Sequence, residues 1–304
     1  MGGPVLSPPH RLLGDQRARF AVRDGASKCL TNCHECRLNG RDNVACGFGR
    51  PKITTMSDLE HSTRCLSTVS IVEVIRRSTQ GVTLPFLCRG DDGFLYYVKG
   101  KSAGRRSLIC EWIAGLLGKQ IGLPIPDFKQ AVITTEFVSR SARNDIGDLG
   151  AGIGFASQIV NDADELTYLY IAQIDDALRA EVLLFDWWTS NGDRTLTEHG
   201  GNPNILWVHR DHKPYVIDHN IAFDETARSD FWTHHIFASS RSSWTLAFRN
   251  TTEHRMRTAL SKLDVWWRAM PAEWTEMPTG ITLESVKTLL WRFETDSAKF
   301  WTVL

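Results

Sequence analysis

Apolar positions recur with period two in the first half of the folded-looking sequence and with helical spacing in the second half. Ile71-Val72-Glu73-Val74-Ile75 reads as a short β-type segment or a turn of helix. A strand is predicted over 83–89, a turn at Gly90-Asp91-Asp92-Gly93, and a second β-rich run over 94–99. Two such runs across a Gly/Asp turn predict a hairpin. Leu108, Ile109, Trp112, Ile113, Leu116 and Leu117 then repeat at helical spacing, with Gly122 and Pro124 placed to end the helix. A further strand is predicted over 131–138, and the Gly-, Asp- and Ser-rich stretch 139–154 reads as a loop. Beyond it, Leu178, Val182, Phe185 and Trp188 mark one face of a helix that stops before Asn191-Gly192. Short strands at 205–208 and 215–217, joined by Arg210-Asp211-His212-Lys213, predict a second hairpin. Leu283, Val286, Leu289, Leu290 and Phe293 predict a C-terminal helix capped by Thr282.

This alternation of strands and then helices predicts an α+β chain. A small β-rich lobe is expected at 68–138 and a larger, mainly helical lobe at 139–304. Residues 1–67 follow neither period. They are read as an extension, disordered or arising from a mis-assigned start, with Met56 as the expected true start.

Composition narrows the possible functions. Hydrophobic residues make up 42% of the 304, enough for a sizeable core, which excludes general disorder. Lys plus Arg equals Asp plus Glu at 35 each, so the basic excess of a bulk nucleic-acid binder is missing and no nucleic-acid partner is expected. No apolar run is long enough to predict membrane insertion, and no basic n-region with an apolar h-region opens the chain; a cytoplasmic protein is expected. Five of the seven cysteines, Cys29, Cys33, Cys36, Cys46 and Cys65, fall in the extension. Their odd total argues against a disulfide scaffold, and their spacing fits no common zinc pattern. The adjacent His234 and His235 would point to opposite faces of one strand, a poor shared ligand pair, so a buried or capping role is expected. Seven of the eleven tryptophans follow residue 230, and they are read as core packing.

The polar residues between the helical elements carry the chemistry. Asp193 follows a helix end, Asn204 opens the predicted second hairpin and Asp218 closes it. A hairpin brings its two ends together, so three oxygen-bearing side chains converge at one mouth. A carboxylate and an amide oxygen, completed by ATP phosphates, suit Mg²⁺, while a separate Asp accepts or orients the proton of the attacking hydroxyl. Asp193 takes that last role; Asn204 and Asp218 take the metal. Taken singly, each of these residues has a competing reading as an ordinary turn residue. Lys99 ends an apolar strand, so its charge needs a partner, and Glu111 on the next helix can supply one. A strand lysine held by a helix glutamate is a device for gripping ATP phosphates.

These runs resemble the HipA-like kinase family, within the wider protein-kinase and phosphatidylinositol-kinase-like fold. The resemblance covers about residues 69–304. It rests on Tyr97-Val98-Lys99-Gly100, on Glu111-Trp112-Ile113-Ala114, on Gly122-Leu123-Pro124-Ile125-Pro126, and most of all on Asn191-Gly192-Asp193-Arg194, Asn202-Pro203-Asn204-Ile205-Leu206 and Ile217-Asp218-His219. It implies a two-lobed kinase fold and ATP- and Mg²⁺-dependent transfer to a Ser or Thr of a protein substrate. A lipid or small-metabolite hydroxyl is the alternative acceptor, and a non-catalytic nucleotide-binding module is the alternative function. Arg194 is expected to neutralise charge beside Asp193. No Gly-x-Gly-x-x-Gly loop is present, and Ser78-Thr79-Gln80-Gly81 is the candidate phosphate loop, with Gln80 and Gly81 the expected contacts. An extra Thr-Leu-Thr-Glu-His-Gly stretch separates Asp193 from Asn204, which leaves Asn202 as a rival metal ligand. Asp218-His219-Asn220 stands where many kinases have Asp-Phe-Gly. No separate N-terminal domain like that of full-length HipA toxins is visible, so antitoxin pairing is not carried over.

Overall fold

The hairpin predicted around Gly90–Gly93 is present. In the computed structural model, which describes residues 68–79, 83–224 and 230–302, β2 (Phe86–Gly90) pairs antiparallel with β3 (Leu95–Lys99). The expectations for 1–67, Gln80 and Gly81 lie outside the described residues. The segment 71–75, left open between strand and helix, is part of the strand β1 (Thr68–Arg77), which pairs antiparallel with β2.

Two expectations are corrected beyond the hairpin. The strand expected over 131–138 is β4 (Phe128–Ile133), and it ends because Thr134 caps a short helix, α2 (Thr135–Arg140). The Thr134 hydroxyl accepts the Phe137 N–H at 3.1 Å, an N-cap bond that competes with continued extension. The stretch 139–154 is not simply a loop. It contains α3 (Ile146–Leu149) and the start of β5 (Gly152–Gln158). β5 pairs antiparallel with both β3 and β4, and β1 pairs in parallel with β4, so the five strands close into a barrel in the order β1-β2-β3-β5-β4. The glycines that hid β5 are a packing requirement: a Cβ on Gly154 would lie 2.6 Å from the Lys99 carbonyl oxygen across the ladder. The sheet therefore continues past the expected boundary at 138.

Alternate strand positions point inward. Val69, Ile71, Phe86, Cys88, Tyr96, Val98, Ala131 and Ala156 form the barrel core. Between β3 and β4 runs α1 (Arg105–Ile121), which ends at Gly122 in the left-handed conformation, φ 96°, as the sequence predicts. Twelve of its 17 residues are buried, including Glu111, so this helix is enclosed rather than laid on a surface.

The remainder is mainly helical. After the short strand β6 (Ala163–Glu165) comes α4 (Asp176–Thr189), N-capped by Asp175. A small hairpin follows, β7 (Thr195–Thr197) with β8 (Gly200–Asn202); this is the extra stretch beside Asp193, which the sequence reading leaves without structure. The predicted second hairpin is β9 (Ile205–Val208) with β10 (Lys213–Val216), and β6 adds to its edge. Helices α5 (Phe231–His234), α6 (Leu246–Leu260), α7 (Leu263–Arg268), α8 (Ala272–Thr275), α9 (Leu283–Leu290), α10 (Arg292–Thr295) and α11 (Ser297–Trp301) complete the chain. Thr282 caps α9 in a capping box with Ser285.

α1, α4 and these later helices share a second, larger hydrophobic core. The late tryptophans belong to it: Trp274 is buried, and Trp232, Trp244, Trp266, Trp267, Trp291 and Trp301 pack against it. The barrel is fastened to the later helices by polar contacts. Trp274 Nε1 donates to the Ile153 carbonyl at 2.6 Å, Glu273 accepts the Ile153 N–H, and Gln130 Nε2 donates to the Ala269 carbonyl at 3.0 Å. Among the described residues no helix is long and apolar enough to cross a membrane.

Candidate active site

Lys99 is the last residue of β3, and the alternation that buries Tyr96 and Val98 brings it to the barrel's end beside α1. Its Nζ lies 2.5 Å from Glu111 Oε1 and 2.7 Å from Asp218 Oδ1. Lys99 and Glu111 are both buried. The other Glu111 oxygen accepts the His219 backbone N–H at 3.1 Å. Burial alone would favour neutral forms here. For Lys99 the carboxylates of Glu111 and Asp218 overcome burial and hold the ammonium above its usual range. For Glu111 burial is likewise outweighed, by Lys99 and His219, and the carboxyl is held well below its usual range. Asp218 goes the other way: burial, with the nearby Glu111 charge, raises it in spite of Lys99.

Asp193 stands beyond the end of α4. Burial raises its carboxyl, Arg194 opposes that, and the charges of Asp218 and Asp186 add to the rise, which carries it to about 6. Asn202 Nδ2 donates to Asp193 Oδ2 at 3.3 Å. The other oxygen, Oδ1, is buried and has no hydrogen-bond partner.

A buried carboxylate organises this loop. Asp186 on α4 is fully enclosed and accepts Arg194 Nε at 2.6 Å, Arg194 NH2 at 3.3 Å, Asn191 Nδ2 at 2.9 Å and His235 Nε2 at 3.0 Å. Burial pushes Asp186 up, but Arg194 and His235 prevail and hold it low. Arg194 is fully buried too, and its NH1 donates to the carbonyls of Asn204 at 2.5 Å, Pro203 at 3.3 Å and Ile217 at 3.4 Å. The direct partner of Arg194 is therefore Asp186, while its charge also bears on Asp193, and its other bonds tie the loop to the second hairpin.

At the open end of that hairpin, the Ile217 N–H donates to the Asn204 carbonyl at 3.0 Å, which stations Asn204 and Asp218 side by side. Both have left-handed backbone, φ 47° at Asn204 and 55° at Asp218. Asn204 is buried and its Nδ2 has no hydrogen-bond partner; Asn202 is exposed on β8. The donor set fits a hard divalent cation. It offers the amide oxygen of the buried Asn204 and the carboxylate of Asp218 side by side, and an Asp193 oxygen with no hydrogen-bond partner. Among the described residues no group of three or more His, Cys, Asp and Glu is arranged as a metal site.

Lys99, Glu111, Asp193, Asn204 and Asp218 are thus brought together, with Asn202 at the edge. Sequence reasoning missed Asp186, and it gave Asn191 and His219 no role of their own, although both stand in the runs that carry the resemblance. For Asp186 a signal exists: an acid within the apolar run Leu183-Leu184-Phe185-Asp186-Trp187-Trp188 cannot be buried without cationic partners. For His219 none does.

Comparison with known proteins gives a family. No curated protein matches. The chain is similar to two solved structures of the Golgi casein kinase, one with Mn/ADP bound, at TM-scores of 0.42 and 0.44. Each shares 13% identity with it, over 82% of this chain and 76% of the other. The sequence model of the HipA-like kinases matches residues 71–304, and the chain accordingly belongs to the HipA-like kinase family and is a kinase.

Proposed function

We propose that this kinase transfers the γ-phosphoryl group of ATP, with Mg²⁺, to a serine or threonine hydroxyl of a protein substrate in the cytoplasm. The barrel, residues 68–158, and the helical body that follows are the two lobes of this reading, with the nucleotide between them. The observation that carries it is the convergence of Lys99, held by Glu111 and Asp218, with an Asp193 whose Oδ1 has no protein partner.

Each residue then has a part. Lys99 contacts the nucleotide phosphates, and Glu111 keeps its ammonium charged and aimed. Asp193 Oδ1 accepts or orients the proton of the acceptor hydroxyl; a carboxyl near 6 is ionised at neutral pH yet basic enough to serve. Asn204 and Asp218 would hold the divalent ion. When bound, that ion neutralises charge on the phosphates. Asp186 and Arg194 hold the two aspartates and Asn204 in register.

The test is transfer of γ-labelled phosphate from ATP, with Mg²⁺, to the protein itself and to a cell lysate. Asp193→Ala and Asp218→Ala serve as controls. Protein label abolished by both substitutions is the expected result. ATP consumed only when small hydroxyl compounds or lipids are supplied would replace the acceptor class. No transfer and no consumption would overturn the reading.

A further inference from the structure

We infer that His235 is a positioning residue of the phosphotransfer site, a buried imidazole that holds the Asp193 loop in place through Asp186. The inference rests on the role given to Asp193 in the proposed function. His235 lies just past α5, and the two adjacent histidines part there: His234 ends the helix and is exposed, whereas His235 turns inward and is 5% exposed.

Two hydrogen bonds fix the ring. The Phe237 N–H donates to Nδ1 at 3.0 Å, so the ring proton sits on Nε2. Nε2 then donates to Asp186 Oδ2 at 3.0 Å. Burial keeps the imidazole neutral against the pull of Asp186. The rings of Phe231 and Phe237 lie 4.9 and 6.0 Å away and enclose it.

Asp186 passes this order on. The oxygen that takes His235 also takes Arg194 Nε, and Arg194 is covalently next to Asp193. The main chain adds a second connection. The Ile236 N–H donates to the Arg194 carbonyl at 3.0 Å, and Thr195 and His235 form a β-bridge. The segment that follows Asp218 in the chain is therefore stitched back onto the loop bearing Asp193. A buried phenyl or isobutyl group would fill the same space, but it would leave the enclosed Asp186 carboxylate one donor short. A shift of even ~1 Å in a group that takes a proton is costly to rate and nearly silent in nucleotide binding.

The experiment uses the full 304-residue chain and the variants His235→Ala and His235→Gln. Glutamine is chosen because its amide N–H reaches about as far as Nε2. Three quantities are read: kcat for phosphotransfer, ATP affinity by direct binding, and backbone hydrogen exchange. His235→Ala is expected to lower kcat about tenfold or more with ATP affinity within about twofold of the parent. His235→Gln is expected to recover most of the lost rate. A folded Ala variant with kcat within about twofold of the parent, or a Gln variant as slow as Ala, overturns the inference.

Hydrogen exchange separates this inference from the function it rests on. Should the parent transfer no phosphate to any acceptor, the proposed function fails, and the amides still decide the role of His235. Those of Asn191, Ile236 and Phe237 should open together in the parent, and those of 191–195 should lose protection in either variant while α9 keeps its own. Independent opening of the two segments overturns the inference, also where His235→Ala does not fold.

Discussion

Lys99 and Asp218, 119 residues apart in sequence, meet at 2.7 Å, and Glu111 closes on the same ammonium from α1. One buried cation therefore joins the barrel, the enclosed helix and the second hairpin. Such a cation is not interchangeable with a greasy side chain of equal length. Lys99→Met removes the charge that holds the buried Glu111 ionised, and breaking a buried pair from one side costs about 3–5 kcal/mol. Urea denaturation should show that loss together with abolished phosphotransfer. Lys99→Met combined with Glu111→Leu should regain most of the stability and none of the activity. A single variant as stable as the parent would show that Glu111 does not depend on Lys99.

The carboxyl of Asp193, raised to about 6, predicts a pH dependence of opposite sign for rate and stability. In its proposed role as proton acceptor it must be ionised, so kcat/KM should fall as pH drops through about 6, with the limb moving lower as Mg²⁺ is raised. Stability follows the other sign. A carboxyl with a raised folded pKa stabilises fully below its unfolded value near ~3.9, and that contribution is lost as pH rises through about 6. Asp193→Asn should thus lose about 10²–10⁴ in rate yet melt higher than the parent at pH 8, the gap closing toward about pH 4. Thermal melts across that range, beside pH–rate profiles, check both halves.

The two asparagines should separate by metal dependence. Asn204 is buried beside Asp218, whereas Asn202 is exposed on β8 and its Nδ2 donates to Asp193 Oδ2. Asn204→Ala should raise the Mg²⁺ concentration needed for half-maximal rate by about tenfold or more. Asn202→Ala should lower kcat a few-fold and leave the Mg²⁺ requirement unchanged. The reverse pattern in Mg²⁺ titrations would make Asn202 the ligand.

Arg194→Lys tests the buried scaffold. Lysine keeps the charge but cannot reach Asp186 and the carbonyls of Pro203, Asn204 and Ile217 at once. A loss of roughly 3 kcal/mol is expected, together with faster proteolysis within residues 191–204 than elsewhere. Unchanged stability would assign the loop's order to the main-chain bonds alone.

The parts of the site that were readable in the sequence are those that also follow a local rule. Lys99 ends an alternating strand, Glu111 lies on an apolar helical repeat, and Asn204 and Asp218 flank a hairpin with its own turn signal. Asp186 was hidden because its helix announces itself through Phe185 and Trp188, and periodicity says nothing about which polar neighbour is enclosed. β5 was hidden because Gly152, Gly154 and Ser157 have low strand propensity; its pairing with both β3 and β4 overrides that. The β7–β8 hairpin has only three residues per strand, too few for alternation to register.

The left-handed backbone at Asn204 and Asp218 limits what evolution can place there. Asparagine and aspartate are the side-chain-bearing residues that enter this conformation most readily, and they also offer short oxygen ligands. Lengthening either by one methylene, to glutamine or glutamate, keeps the ligand chemistry but meets a backbone that resists it. Glycine satisfies the backbone and supplies no ligand. At these two positions, then, a lineage that abandons the proposed metal site can drift to glycine without backbone strain, while one that keeps it has almost no neighbouring residue to try.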